Sequence, residues 1–249
     1  MIEKKKTIHI YDDGIGSVSL VDSMGTDLTV VNSARVSFGV EKEELNERDK
    51  KLINYLIRHR HTSTLEHNLI TFKFCVPLFV RSQHHRHRTW SYNEISRRYT
   101  DKDIQFYIPE KFRPQHPTNR QASRHDYVVN PVLYEEGKVH PIHRYYFLGK
   151  NVTEIMKVHA ESSLTIFEDM LKRGVCREQA RMVLPQSMYT EYYGTVNLSN
   201  LLKFVDLRTH EGAQWEIKRV AEACLEIATD LFPVTVQSYR RIRDESKSS

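Results

Sequence analysis

Apolar and polar positions follow two different rhythms along the 249-residue chain. "TIHIY" and "SVSLVD" predict two short strands around a turn at Asp12–Gly16. From Asp27 to Phe38 the period lengthens, and Leu28, Val31, Ala34 and Phe38 recur at helical spacing. Asn46 to Arg60 predicts a second helix, with Leu52, Ile53, Leu56 and Ile57 on one face. In the "HTSTLEH" that follows, Ser63 and Glu66 fit either an S-x-x-E helix start or a tight turn. "NLITFKFCVPLFV" reads as a strand rich in β-branched and aromatic residues up to Pro77. Residues 113–150 hold Pro114, Pro117, Pro131 and Pro141 without any period, and read as a long connection. Asn151 to Arg173 predicts a long amphipathic helix through Ile155, Val158, Leu164, Phe167 and Leu171, stopped by Gly174. "REQARMVLP" is a short helix closed by Pro185, and "SMYTEYYGTVNL" a strand. Asn197 or Ser199 caps a helix reaching about Arg208, Ala213 to Phe232 forms another, and Pro233 begins the last. Helices and strands do not alternate regularly. The expected class is therefore α+β, a central and mostly antiparallel sheet packed with helices. The length suits one domain over residues 1–249.

Composition changes this picture little. With 39% hydrophobic and 28% charged residues the chain is an ordinary globular protein, not a disordered or fibrous one. Its net charge of +5 favours an anionic partner without choosing between nucleic acid, nucleotide and membrane surface. Cys75, Cys176 and Cys224 are widely spaced and form no C-x-x-C pair, which excludes zinc ribbons and dithiol redox motifs. The basic opening "MIEKKKTIHIYDDG" lacks an apolar segment, and no apolar run approaches a membrane span. A cytoplasmic protein is expected. G-x-G-x-x-G, Walker A and G-x-S-x-G motifs are absent, so any nucleotide is held in some other way.

Candidate chemistry concentrates in "RHRTWSYNEISRRY", Arg86 to Tyr99, which the strand ending near Pro77 is expected to deliver directly. Around it Arg81, Arg86, Arg88, Arg97, Arg98, His84, His85 and His87 face a single acid, Glu94. Guanidinium groups offer planar sets of donors suited to phosphates and heteroaromatic edges. Ser91 and Ser96 add hydroxyls, and Gln83 and Asn93 can read an amide-like edge. An anionic, planar ligand such as a nucleotide fits this inventory. Other readings remain open on the residues alone. The stretch can be a solvated basic helix with Glu94 and Arg98 paired at i, i+4, or a nucleic-acid recognition helix. A metal site on the three histidines is opposed by the neighbouring arginines. A nucleophilic Ser91 or Ser96 lacks a base–carboxylate pair. Cys75, inside a strand, reads as core.

Arg86-His87-Arg88, seven residues, then Ser96 resembles the R-H-R-x7-S signature of the flavin-dependent thymidylate synthases. "NSARVSF", "HTSTLEH", "REQARMVLP", "TVNLSNLLKFVDLR" and "AQWEI" extend the resemblance, in order, over most of the chain. The ordered set is far more specific than the signature alone. The resemblance implies reductive methylation of dUMP to dTMP, with 5,10-methylenetetrahydrofolate as carbon donor and FAD, reduced by NADPH, as hydride carrier. It also implies a homotetramer with sites shared between subunits, and no nucleic-acid or membrane partner. By the same resemblance Gln83, His84, His85, Arg86, Glu94, Ile95, Ser96, Arg97, Arg98, Arg181 and Arg208 belong to the dUMP site. Backbone N–H groups of the 94–98 loop take part, and Arg181 comes from another subunit. Arg208 is the catalytic candidate, a fixed cation that favours the anionic pyrimidine; its position also suits a plain helix C-terminus. Ser63, Arg86, His87, Arg88, Glu94, Asn197, Ser199 and Lys203 resemble FAD contacts, with His61 in the flavin and folate neighbourhood. Two positions depart from the pattern. Ser199 stands where some members carry an arginine, and Lys203 where asparagine or histidine is usual. The adenosine half of FAD is then held differently, with Lys203 a phosphate partner.

Overall fold

The computed structural model describes residues 6–135, 144 and 146–247. Its strands are β1 (Thr7–His9), β2 (Ser17–Met24), β3 (Leu69–Pro77), β4 (Ser91–Glu94) and β5 (Tyr189–Asn197). Its helices are α1 (Asp27–Arg35), α2 (Glu47–Arg58), α3 (Leu78–His84), α4 (Val152–Lys172), α5 (Arg177–Ala180), α6 (Leu198–Arg208), α7 (Trp215–Leu231) and α8 (Pro233–Lys247). The five strands form one sheet of order β1-β2-β3-β5-β4. β1–β2 and β2–β3 pair antiparallel, with Ile8 opposite Val18 and Val18 opposite Phe74. This is the expected α+β architecture.

The chain divides into two compact units that interleave in sequence: 1–75, 83–93 and 191–249 form one, and 76–82 and 94–190 the other. In the first, β3 alternates strictly, so Ile70, Phe72 and Phe74 are buried while Thr71 and Lys73 face the other way. β5 matches it, with Tyr192, Gly194 and Val196 inward and Thr195 meeting Thr71 at 2.9 Å on the opposite face. Gly194 is required by close approach: a Cβ there would sit 2.9 Å from the Phe74 ring. α7 buries one broad face, through Ile217, Val220, Ala221, Cys224 and Ile227, and turns Glu226 and Asp230 to solvent. In the second unit α4 lays Phe167 against Ala180, Leu184 and Met188, with Leu164 and Leu171 beside them. Asn151 caps α4 by accepting from Glu154 N–H, and Gly174, at φ 87°, ends it.

Residues 113–135 hold isolated bridges, Gln115 with Ser123 and Val132 with Asn151, rather than strands. The part of the predicted connection that includes Pro141, and the first five residues of the basic opening, lie outside the described residues. No helix among the described residues is long and apolar enough to cross a membrane.

Asp49 in the first turn of α2 is fully buried. It accepts from Arg35 at 2.8 Å, from Asn46 N–H at 3.0 Å and from Lys42. Burial pushes its carboxyl up, but the bonds from Lys42, Asn46 and Arg35 outweigh burial and hold it down at about 2. A folded pKa below the unfolded value of about 3.9 adds stability that is complete above that value. It is lost as the pH falls through about 2. Asp49→Asn is expected to destabilise the protein by about 3 kcal/mol near neutrality, because it strands two cations around a neutral amide. Denaturant unfolding at a series of pH values checks this. The gap from wild type closes between about pH 4 and pH 2; a gap constant across that window contradicts the assignment.

Candidate active site

The cationic stretch is not a helix. β3 runs into the seven-residue α3, so a helix, not the strand itself, delivers it. After α3 the chain makes turns through 85–90, forms β4 and turns again at 97–99. This removes the two helical readings, the solvated basic helix and the recognition helix laid in a DNA groove. The Glu94–Arg98 pair is also replaced. Glu94 accepts from Arg81 Nε at 2.8 Å and from Thr190 Oγ1 at 2.7 Å, and Arg98 meets Glu178 at 3.7 Å.

Two aromatic anchors fix the 84–90 turn. His84 is fully enclosed, its Nδ1 2.8 Å from the Tyr192 hydroxyl, and its ring lies edge-on to Phe74 and Trp90. Burial, then the neighbouring His87, His85 and Arg208, hold it well below the usual imidazole range. Its side chain is therefore packed in the aromatic core, and any contact it makes with a nucleotide is through its backbone. Tyr92 from β4 shares its hydroxyl hydrogen between the carbonyls of His84 at 2.9 Å and His87 at 3.2 Å, pinning the first half of the turn. Arg86 and Arg88 are left exposed. The three histidines have separate partners: His84 with Tyr192, His85 stacked on Tyr92 at 4.1 Å, and His87 with Arg208. Among the described residues no group of three or more His, Cys, Asp or Glu is placed to hold a metal.

Arg208, the last residue of α6, turns back onto this turn. Its Nε donates to His87 Nε2 at 2.9 Å, and one Nη to the Gln83 carbonyl at 3.3 Å. Burial, then the like charge of Arg86, lowers its pKa. His87 is pushed down to about 4 by burial and then by Arg208, so it is neutral at physiological pH and accepts from the guanidinium. Two guanidiniums brought together beside a neutral imidazole repel one another until an anion arrives. The Gln83 side chain bonds Gln214, which in turn donates to Glu216 at 2.9 Å.

The remaining predicted nucleotide residues lie in the second unit. Ser96 Oγ accepts from Arg98 N–H at 3.2 Å, and the Ser96 carbonyl from Tyr99 N–H at 2.9 Å, which shapes the 94–98 loop. Ile95 is exposed, whereas Arg97 is buried and donates to the Lys102 carbonyl at 2.6 Å. Its guanidinium is thus engaged within the loop, in keeping with the backbone role expected for the 94–98 loop. Arg181 is exposed and donates to the Glu178 carbonyl at 3.3 Å, so Arg98 and Arg181 converge on Glu178.

A cleft of about 790 Å³ in the first unit gathers His61, Ser199 and Lys203 of the predicted cofactor set, together with Arg60 and Arg243. Its walls include Leu56, Leu65 and Leu202. The Ser199 hydroxyl is buried there without a hydrogen-bond partner. Arg60 holds φ 56°, a strained conformation for a side-chain-bearing residue. Asn197 caps α6 through Asn200 N–H at 2.9 Å, and Ser63 is exposed beside the cleft-lining turn. Cys75 is pushed up to about 11, chiefly by burial, and the buried Cys224 well above the usual thiol range. Neither is a thiolate near neutral pH.

Sequence reasoning missed Tyr92, Thr190 and Gln214, and gave Arg81 no role. Two of them meet distant partners: Thr190 and Glu94 are 96 residues apart, and Gln83 and Gln214 are 131 apart. Only the fold joins those pairs, whereas Tyr92 reaches back just 8 and 5 residues to His84 and His87.

The α+β fold brings the Arg208 and Arg86 guanidiniums together at one turn, donors of a kind suited to an anionic, planar ligand. The family model described as "Thymidylate synthase complementing protein" matches residues 19–234. The flavin-dependent thymidylate synthase of Thermus thermophilus is 40% identical over 235 residues, covering 94% of this chain and 78% of that protein. The Thermotoga neapolitana enzyme of the same name is 39% identical over 224 residues, covering 90% of each. A crystal structure of the UMP/dUMP methylase PolB from Streptomyces cacaoi, bound with 5-Br dUMP, superposes with a TM-score of 0.73 at 34% identity, covering 90% of this chain and 94% of that one. The chain belongs to the flavin-dependent thymidylate synthase family.

Proposed function

We propose that this chain converts dUMP to dTMP, taking its carbon from 5,10-methylenetetrahydrofolate and its reducing equivalents from NADPH through FAD. The observation that carries the reading is the meeting of Arg208, Arg86 and neutral His87 on one stapled turn. A pyrimidine that becomes anionic at this turn is stabilised by Arg208, whose attraction for an anion is less screened in its partly buried position. Arg98, with the Ser96 loop, offers donors for the phosphate. When bound, FAD supplies the hydride that the reaction requires. Arg86 and Arg88 lie exposed on the turn and favour its anionic reduced form, while His87 contributes a hydrogen bond and no charge. The residues of the large cleft fit the adenosine diphosphate half of that cofactor. The leucine walls suit a flat base, the partnerless Ser199 hydroxyl a ribose or phosphate oxygen, and Lys203 and Arg60 the phosphates. No enzyme nucleophile is needed, in keeping with the raised Cys75 and Cys224 thiols.

The working form in this reading is a cytoplasmic homotetramer whose sites are shared between subunits, with Arg181 reaching a neighbour's nucleotide. Support comes from the exposed apolar side chains of Val36 and Phe38, at 75% and 81%. Purified protein is expected to be yellow, to bleach on NADPH addition, and to regain colour faster when dUMP and methylenetetrahydrofolate are present. A colourless protein that takes up no FAD, yet binds duplex DNA with a steep salt dependence, overturns the reading.

A further inference from the structure

Glu94 is the one acid within the Arg86–Tyr99 stretch, so its placement decides which cations there stay available to an anion. It closes β4 with 19% of its side chain accessible. Arg81 on α3 donates twice to Oε2, from Nε at 2.8 Å and from Nη2 at 2.5 Å. The buried Thr190 on β5 donates to Oε1 at 2.7 Å. Both oxygens are thus engaged by side chains from outside the stretch. Arg98, four residues on, lies over the exposed Tyr99 ring at 5.8 Å and makes an exposed contact with Glu178 at 3.7 Å, a kind of pair that holds its members weakly.

We propose that Arg81 and Thr190 are positioning residues that clamp Glu94 away from Arg98, so that Arg98 stays free for the phosphate of the nucleotide. The inference rests on the assignment of Ser96 and Arg98 to the dUMP site. The clamp is built for the purpose. Turning Glu94 towards the loop breaks the two-donor grip of Arg81 and the bond from the Thr190 hydroxyl. Without them the carboxylate and a phosphate dianion compete for the same guanidinium. On a helix the spacing would pair Glu94 with Arg98; β4 and the turn at 97–99 replace that helix, and Arg81 and Thr190 occupy both oxygens of Glu94.

The test is a double-mutant cycle on the full-length FAD-loaded protein, reading the dUMP dissociation constant by titration calorimetry. Arg81→Gln is expected to weaken dUMP about fivefold, the range of an exposed ion pair, with kcat at saturating dUMP changed less than KM. In a Glu94→Gln background the same substitution changes dUMP affinity less than twofold, because no charge remains to be released. Arg81→Lys recovers most of the loss. Thr190→Val, which leaves the Arg81 grip in place, weakens dUMP about twofold and serves if Arg81→Gln does not fold. Equal weakening in both backgrounds, or none in either, overturns the clamp. Wild-type protein that binds no dUMP fails at the nucleotide assignment itself, and the two failures are told apart by that control.

Discussion

Arg208→Ala is expected to lower kcat/KM for dUMP by about 10²–10³, the usual loss when one preorganised charge-stabilising group is removed from a partly buried site. The guanidinium is held at two points, on His87 Nε2 at 2.9 Å and on the Gln83 carbonyl at 3.3 Å, so it acts without being repositioned. Arg208→Lys keeps the charge but loses the two-point hold, and falls between alanine and wild type. Bound flavin stays, since the large cleft does not include Arg208. The His87 pKa rises from about 4, because Arg208 is one of the two groups of causes that lower it. Steady-state kinetics, flavin absorbance per chain and a histidine NMR titration check the three parts. Turnover within threefold of wild type removes Arg208 from the chemistry.

The second large effect concerns stability. Asp27 opens α1, is buried, and caps a different helix. Its carboxylate accepts from Val234 N–H at 2.9 Å, Thr235 N–H at 2.9 Å and the Thr235 hydroxyl at 2.5 Å, all in the first turn of α8. A charged cap on a helix N-terminus combines hydrogen bonding with the favourable end of the helix dipole. Asp27→Ala leaves those donors buried and unmet, at a cost of about 3 kcal/mol. For a chain of this size that is a fall in Tm of roughly 10 °C. Asp27→Asn keeps one acceptor and loses less. α8 carries Tyr239, Ile242 and Arg243 of the large cleft, so the alanine variant is also expected to bind FAD more weakly. A Tm within 2 °C of wild type contradicts the capping role.

Much of the fold was legible because its signals are local. The period-2 pattern of β3, the caps at Asn151 and Asn197, Pro233 at the start of α8 and Gly174 at the end of α4 all act within a few residues. The seven-residue α3 was not legible. Its "LFVRSQH" continues the apolar run of β3 without a capping signal, and short apolar runs do not separate strand from helix. The site divides in the same way. The excess of donors over acceptors pointed to an anion, and the ordered motifs pointed to the family. What those donors do in the free protein is set by partners far away in sequence. Glu94 meets Arg81 and Thr190 rather than Arg98, His84 turns into an aromatic core, and Arg97 spends its guanidinium on Lys102. Composition counts such groups as equals, and only tertiary placement separates a ligand donor from a structural one.

The folate product tests the central claim most directly. Turning a transferred methylene into a methyl group requires two electrons. If they come from NADPH through the flavin held by this chain, the folate leaves at the tetrahydro level. If the folate itself supplies them, it leaves as dihydrofolate. FAD-loaded protein given dUMP, methylenetetrahydrofolate and NADPH is expected to form dTMP and tetrahydrofolate, with one NADPH consumed for each dTMP. Formation of dihydrofolate with no NADPH consumed, or of no dTMP at all, contradicts the account.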